Sequence, residues 1–281
     1  MKSKRFIFVS LLLLGSMSLT GCDWPWNNNQ QNQQEKQKTP SSDVKPTSDI
    51  SGYYGTIKNQ DGDALLNALH SIVDTSDVST SYDWYRFKSA DEDPNNGNNI
   101  VTIYARTSLS KSDTISGSKT RGWNREHTFP QSKLKTDQAL HDNHIVFASD
   151  YGINSKRSSY KMGVLTTGAT LKDSYGNNTT CRVGKVFDPN NVARGIVARS
   201  TMYAAAMYGL NPLDNFESWA TLITWHLNYP VTQQDMNRNE VVYKNQHNRN
   251  PFVDHPEYAC KIWGGSNSTT INACKAAGYS Y

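Results

Sequence analysis

Between Val192 and Tyr208, apolar or small side chains recur at Val192, Ile196, Val197, Ser200, Tyr203, Ala204 and Met207. Steps of three and four residues put them on one side of an α-helix. Gly209 and then Pro212 end the run, since proline cannot continue a helix and glycine accepts the closing turn. A long helix with a broad apolar face has to be wrapped by other elements, and several of these are legible. Apolar pairs at Ala64-Leu65, Ala68-Leu69 and Ile72-Val73 predict a helix over 61–73, with His70 solvated or at the core edge. Trp219, Leu222, Ile223 and Trp225-His226 predict another, stopped by Pro230. Thr232-Gln233-Gln234-Asp235 reads as a capping box with Asp in place of Glu, opening a helix that runs to about Gln246. Strand signal is thinner. Ile100–Tyr104 reads as a strand, Asp91–Pro94 as a solvated acidic turn, and 166–180 as turns with a hairpin. The expected class is α+β, mainly helical, in a single domain over 51–281.

Composition fixes where that domain begins. Asn27–Gln34 is almost pure Asn and Gln and is followed by Lys, Pro, Ser and Thr, so almost nothing in 23–50 can be buried. As a flexible coil this stretch spans about 30 Å. Before it, Lys2, Lys4 and Arg5 precede an apolar run from Phe6 to Ser18, too short for an ordinary membrane span. Leu19-Thr20-Gly21-Cys22 looks like a bacterial lipoprotein box. The reading is a lipoprotein signal peptide over 1–21, with Cys22 lipidated and 22–50 tethering the domain to the extracellular face of the membrane, or releasing it. Trp24 and Trp26 either rest in the headgroups or are linker residues. Of the formal charge of +4, residues 1–22 supply +3, residues 23–50 supply −1 and the body +2. Any basic groove must therefore be local. Once Cys22 is set aside, Cys181, Cys260 and Cys274 remain, so at least one is unpaired within a monomer. Cys260 and Cys274 close a short loop and are the favoured pair. No Cys-x-x-Cys spacing points to a metal.

Chemistry concentrates in Arg121-Gly122-Trp123-Asn124-Arg125-Glu126-His127-Thr128-Phe129-Pro130-Gln131-Ser132. A neutral imidazole can take a proton from water near pH 7. A carboxylate can hold Mg²⁺, which prefers one or two protein oxygens plus water and phosphate. Arg121 or Arg125 can brace a phosphate with paired donors. Adjacent strand residues point to opposite faces, so Glu126 and His127 flank a phosphate rather than share one ligand sphere. Pro130 ends the segment, which reads as a strand end running into a turn.

These residues match the Trp-Asn-x-Glu-His motif, and the chain resembles the bacterial endonuclease I family over most of residues 53–263. The resemblance implies a ββα-metal (His-Me finger) site. It makes His127 the base, Arg125 a catalytic partner and Glu126 a metal ligand. Downstream, Asp142-Asn143-His144 and Asn154-Ser155-Lys156-Arg157-Ser158 match the family's Asp-x-His and Asn-x-x-Arg-Ser. Asn154 is then the second metal ligand, and Arg157, one helical turn on, can reach phosphate. The family's Pro before Ser149-Asp150 is absent, Phe147-Ala148 standing there. Asp188, Arg194 and Ile196 replace the family's Glu, Lys and Asp. Trp225-His226, Arg238-Asn239 and Gln246-His247-Asn248-Arg249-Asn250-Pro251-Phe252 match hallmark strings that read as scaffold and groove wall. Within them Arg249 is the phosphate contact. Arg199 either faces the groove or sits in a salt bridge. Arg121 and Asn124 complete the substrate-binding set.

The function expected is a Mg²⁺-dependent endonuclease, with Ca²⁺ or Mn²⁺ as substitutes, acting as a monomer on DNA or RNA without sequence preference and leaving 5′-phosphate ends. One rival is a surface lipoprotein that binds nucleic acid or a partner without cutting; an intact Glu-His…Asn set argues against it. The other is a metal phosphoesterase for small esters, which needs a deep pocket rather than an open groove.

Overall fold

In the computed structural model of the chain, the described residues are 45, 46, 48–75, 77–79 and 84–281. All lie in the compact unit Gln37–Tyr281. The signal segment, Cys22 and residues 23–44 fall outside them. The described chain runs α1 (Gly62–Val73), α2 (Trp84–Ala90), β1 (Glu92–Asp93), β2 (Asn96–Val101), β3 (Ser108–Ser110), β4 (Trp123–His127), α3 (Asp137–His141), β5 (Val146–Asp150) and α4 (Tyr151–Arg157). It continues through β6 (Thr170–Lys172), β7 (Asn178–Val183), β8 (Phe187–Asp188), α5 (Asn191–Tyr208), α6 (Trp219–Asn228), α7 (Gln233–Gln246), α8 (Pro251–Asp254), α9 (Glu257–Trp263) and α10 (Ser268–Ala276). Three small antiparallel sheets, β1-β2-β3, β4-β5 and β6-β7-β8, accompany the helices. The class is α+β.

Helix α5 is the centre. The Asn190 side chain caps it by accepting from Val192 N, and Gly209 closes it in the left-handed region at φ 63°. Apart from Arg194, every residue from Ala193 to Met207 is buried. The small side chains of Ala198 and Ala204–Ala206 let neighbours come close. At Gly195 the approach is closest: a Cβ there would lie 2.1 Å from Tyr229 O, just beyond α6. Helix α7 opens with the capping box read from sequence, Thr232 and Asp235 each bonding the other's backbone. Such a cap stabilises a helix by about 1 kcal/mol.

The two-stranded β4-β5 sheet is anchored at both ends, in a small cluster of its own at one and on α5 at the other. Trp123 is fully buried with Phe87, Ile100, Leu109, Val146 and Ala148. Past the other end, Thr128 Oγ1 lies 2.7 Å from Ser200 Oγ on α5, and Ser200 donates to His144 O at 2.7 Å. Gly122, at φ 130°, fixes the entry to β4, because a Cβ there would sit 2.0 Å from Asp113 O.

Several expectations need correction. The 100–104 strand ends at Val101: Arg106 N bonds Thr102 O and the chain turns over 102–106, while Ile103 N bonds Ala148 O on β5. The Asp91–Pro94 turn is solvated only in part: Glu92 and Pro94 are exposed, but Asp91 is 5 % exposed and pairs with Arg238 at 2.7 Å. The replaced pair Asp188 and Arg194 meet each other at 2.7 Å, a salt bridge that keeps the charge pattern with new side chains. Beyond Trp263, α10 forms, and Cys274 on it is disulfide-bonded to Cys260, the pair favoured from sequence. Cys181 is a free, buried cysteine. Among the described residues no helix is long and apolar enough to cross a membrane.

Candidate active site

Strands β4 and β5 pair antiparallel, with Asn124 opposite Ser149, Glu126 opposite Phe147 and His127 opposite Val146. Alternation along β4 puts Asn124 and Glu126 on one face and Arg125 and His127 on the other. Helix α4 follows β5 without a gap. Asp150 caps it by accepting from Ile153 N, so the helix starts at a fixed angle and brings Asn154 back to β4.

Hydrogen bonds orient each reactive side chain. His127 Nε2 lies 2.9 Å from Leu140 O. A carbonyl only accepts, so Nε2 carries the proton and the neutral ring keeps its lone pair on Nδ1. The Asn154 amide donates from Nδ2 to Asn124 Oδ1 at 2.9 Å and to Arg125 O at 3.1 Å. Two acceptors at Nδ2 fix the amide orientation, and no described residue bonds Oδ1. Glu126, 4 % exposed, receives the Tyr104 hydroxyl at 2.5 Å and Arg157 Nη1 at 3.3 Å. Both reach Oε1, and Oε2 has no partner among the described residues.

Burial dominates the electrostatics. It pushes the Glu126 carboxyl up to about 7, although the Arg157 charge and the Tyr104 hydrogen bond favour the anion. It also lowers His127 below the usual histidine value, against its bond to Leu140, so the ring stays neutral at pH 7. Nearby Arg125 and Arg157 lower it further.

The arginines expected at phosphate separate into two groups. Arg121 is exposed just before β4, and Arg125 is half-buried on the His127 face. Arg157 is 2 % exposed; it donates to the carbonyls of His127, Thr128 and Ser158 and to Asn215 Oδ1, bracing the site from behind. Arg199 and Arg249 are also drawn inward, at 2 % and 1 % exposure. Arg199 pairs with Asp235 at 3.1 Å and bonds Tyr229 O. Arg249 pairs with Asp254 at 2.7 Å and Glu240 at 3.0 Å. Neither presents donors to a groove, because a buried guanidinium needs its anions close. Asn124, half-buried, accepts the Asn154 amide at its Oδ1. Tyr104 is the residue that motif reading passes over, since it lies outside the motif at the end of an apolar run that reads as plain strand.

Among the described residues no group of three or more His, Cys, Asp and Glu side chains is gathered to hold a metal. The donors present still suit a hard divalent cation of the Mg²⁺ kind. One carboxylate oxygen and one amide oxygen stand uncommitted, and a desolvated carboxylate gains most from a nearby positive charge.

A family model described as Endonuclease I matches residues 61–257. The extracellular ribonuclease of Bacillus amyloliquefaciens is 32 % identical over 246 residues, covering 80 % of this chain and 83 % of its own. The extracellular ribonuclease of Bacillus subtilis (strain 168) is 32 % identical over 240 residues, covering 78 % and 80 %.

Proposed function

Because the chain belongs to the endonuclease I family, we propose that it is a Mg²⁺-dependent endonuclease of the ββα-metal type, cutting RNA or DNA without sequence preference to leave 5′-phosphate ends. The observation that carries this reading is the state of three side chains. His127 Nε2 faces a carbonyl, and Glu126 and Asn154 are each held through one atom, which leaves the other oxygen of each for use. His127 takes a proton from water at Nδ1, its ring held by Leu140 O. Glu126 and Asn154 would hold Mg²⁺ through Oε2 and Oδ1. Bound Mg²⁺ supplies positive charge against the phosphorane and the leaving 3′ oxygen. Arg157 keeps the His127 and Thr128 backbone in place, so the base stays aligned. Arg121, which is exposed, and Arg125, which is half-buried, are the arginines this reading assigns to phosphates. Grip through phosphates rather than bases makes binding sequence-tolerant and steeply salt-dependent.

Two relatives bear the name extracellular ribonuclease, so RNA is tested beside DNA. Their names and the Lys2–Cys22 segment together support export, with Cys22 as the lipid-bearing residue. The purified chain is incubated with plasmid DNA and with RNA, in Mg²⁺ or chelator, beside His127→Ala. Metal-dependent cleavage by wild type and its loss in the variant is the expected result. Nucleic acid that is bound but left intact across several divalent ions would replace the enzyme with a binding protein.

A further inference from the structure

We propose that Tyr104 is a positioning residue for Glu126: its hydroxyl holds the carboxylate by Oε1 and so keeps Oε2 turned outward for a divalent cation. The inference rests on the nuclease reading above and adds to it a residue that no motif contains.

The argument starts from an asymmetry. A guanidinium and a carboxylate favour a two-point contact, one N–H for each oxygen. Arg157 and Glu126 do not make it. Their contact is a single one at 3.3 Å, and it falls on the oxygen that the Tyr104 hydroxyl already occupies at 2.5 Å. The other donors of Arg157 Nη1 and Nη2 are spent on carbonyls and Asn215. Arg157 Nε, buried and without a hydrogen-bond partner among the described residues, is the donor left for a second carboxylate oxygen, and the hydroxyl on Oε1 is what holds Glu126 against turning Oε2 toward it. Turned that way, Oε2 would be withdrawn from the cation it is meant to meet.

Tyr104 is built to resist that rotation. Its side chain is fully buried, and its ring meets Phe187 edge-on at 4.8 Å. Its carbonyl accepts from Asn190 N and from Cys181 Sγ, both at 3.2 Å. The turn that ends β2 is fastened to β5 by Ile103 N and closed by Arg106 N on Thr102 O. A hydroxyl on a rigid ring, on a backbone fixed from three sides, is a pre-set donor rather than one recruited when metal arrives.

The test is Tyr104→Phe in the full chain, which keeps the ring and removes one oxygen. Melting is followed in chelator and across a Mg²⁺ titration, and cleavage is titrated with Mg²⁺ in parallel. Glu126→Gln serves as the reference without Mg²⁺ stabilisation. Losing a partner behind a metal ligand weakens metal binding about tenfold or more. The expected result is therefore a Mg²⁺ midpoint raised about tenfold in both titrations, with KM for nucleic acid at saturating Mg²⁺ unchanged. Each midpoint is referenced to that variant's own melting point in chelator, so a general loss of packing lowers the curve without moving it. A Mg²⁺ midpoint for Tyr104→Phe equal to or below wild type overturns the role of Tyr104 and leaves the nuclease reading standing. A wild type that neither gains stability from Mg²⁺ nor cleaves overturns both.

Discussion

Two regions of this molecule bury carboxylates, and they treat them in opposite ways. In the helical core Asp142 takes four donors: His144 N and Gln246 Nε2 on Oδ1, the Tyr203 and Tyr208 hydroxyls on Oδ2. Asp254 likewise takes Arg249 Nη2 and Asn239 Nδ2 on one oxygen and Arg249 Nε and the Tyr54 hydroxyl on the other. Glu126 receives both of its donors on one oxygen. A saturated carboxylate has no lone pair left to offer, and removing one of its partners costs stability. A half-saturated carboxylate is held in place but still available, and its raised pKa is the mark of that incomplete compensation. The difference separates scaffold from chemistry in a chain where both read as polar residues amid apolar ones.

The sharpest way to break this comparison is to remove the base. His127→Ala should lower cleavage of plasmid and RNA about 10²- to 10⁴-fold, while its melting point stays near wild type; a variant that cuts at the wild-type rate would remove His127 from the chemistry. Next is the scaffold side. Asp254→Ala leaves Arg249 short of its main anion, so urea unfolding should show a loss of about 3–5 kcal/mol. Cleavage per folded molecule should hold, and a selective loss of activity in the cold would mean that the Arg249 cluster is part of the site after all. Reducing Cys260–Cys274, a separation of 14 residues, should cost about 3 kcal/mol and again leave specific activity alone, to be read from melting with and without reductant. The comparison is also tested by acid, without any substitution. Burial lowers His144 to about 4 and His226 to about 3. The unfolded chain binds these protons from about pH 6.5 downward and the folded one does not. Their contribution is therefore complete above pH 6.5 and shrinks as pH falls toward 4, by about 1.4 kcal/mol per pH unit for each group. Melting between pH 7 and 4.5 checks it, and a flat profile would mean that these rings are open to solvent.

Much of the fold is legible in the sequence. The step of three and four from Val192 to Met207 marks a buried helix, and α5 is one from Ala193 on, with Val192 exposed at its start. The Thr232–Asp235 box opens α7 as read. The Cys260–Cys274 pair forms. These are local rules, in which the residues that decide the outcome lie within a turn or a short loop of one another. The arginines were not legible in the same way. Arg199 and Arg249 sit in strings that suggest a groove wall, yet their partners Asp235, Asp254 and Glu240 turn them inward. Arg157 stands where a phosphate contact was expected and instead supports backbone. An arginine reads the same in sequence whether its anion is a substrate or a carboxylate from another helix.

By itself, the sequence determined the family, the α+β class, the main helices and the motif that carries Glu126 and His127. Periodicity, capping and residue chemistry act over a few positions and survive without a fold. Tertiary structure alone decided which atoms of those residues are committed. Tyr104 and Glu126 stand 22 residues apart, and Asn124 and Asn154 stand 30 apart. Whether a carboxylate keeps a free lone pair depends on donors brought from distant segments into a space without water, where each one present or missing changes what the group can do.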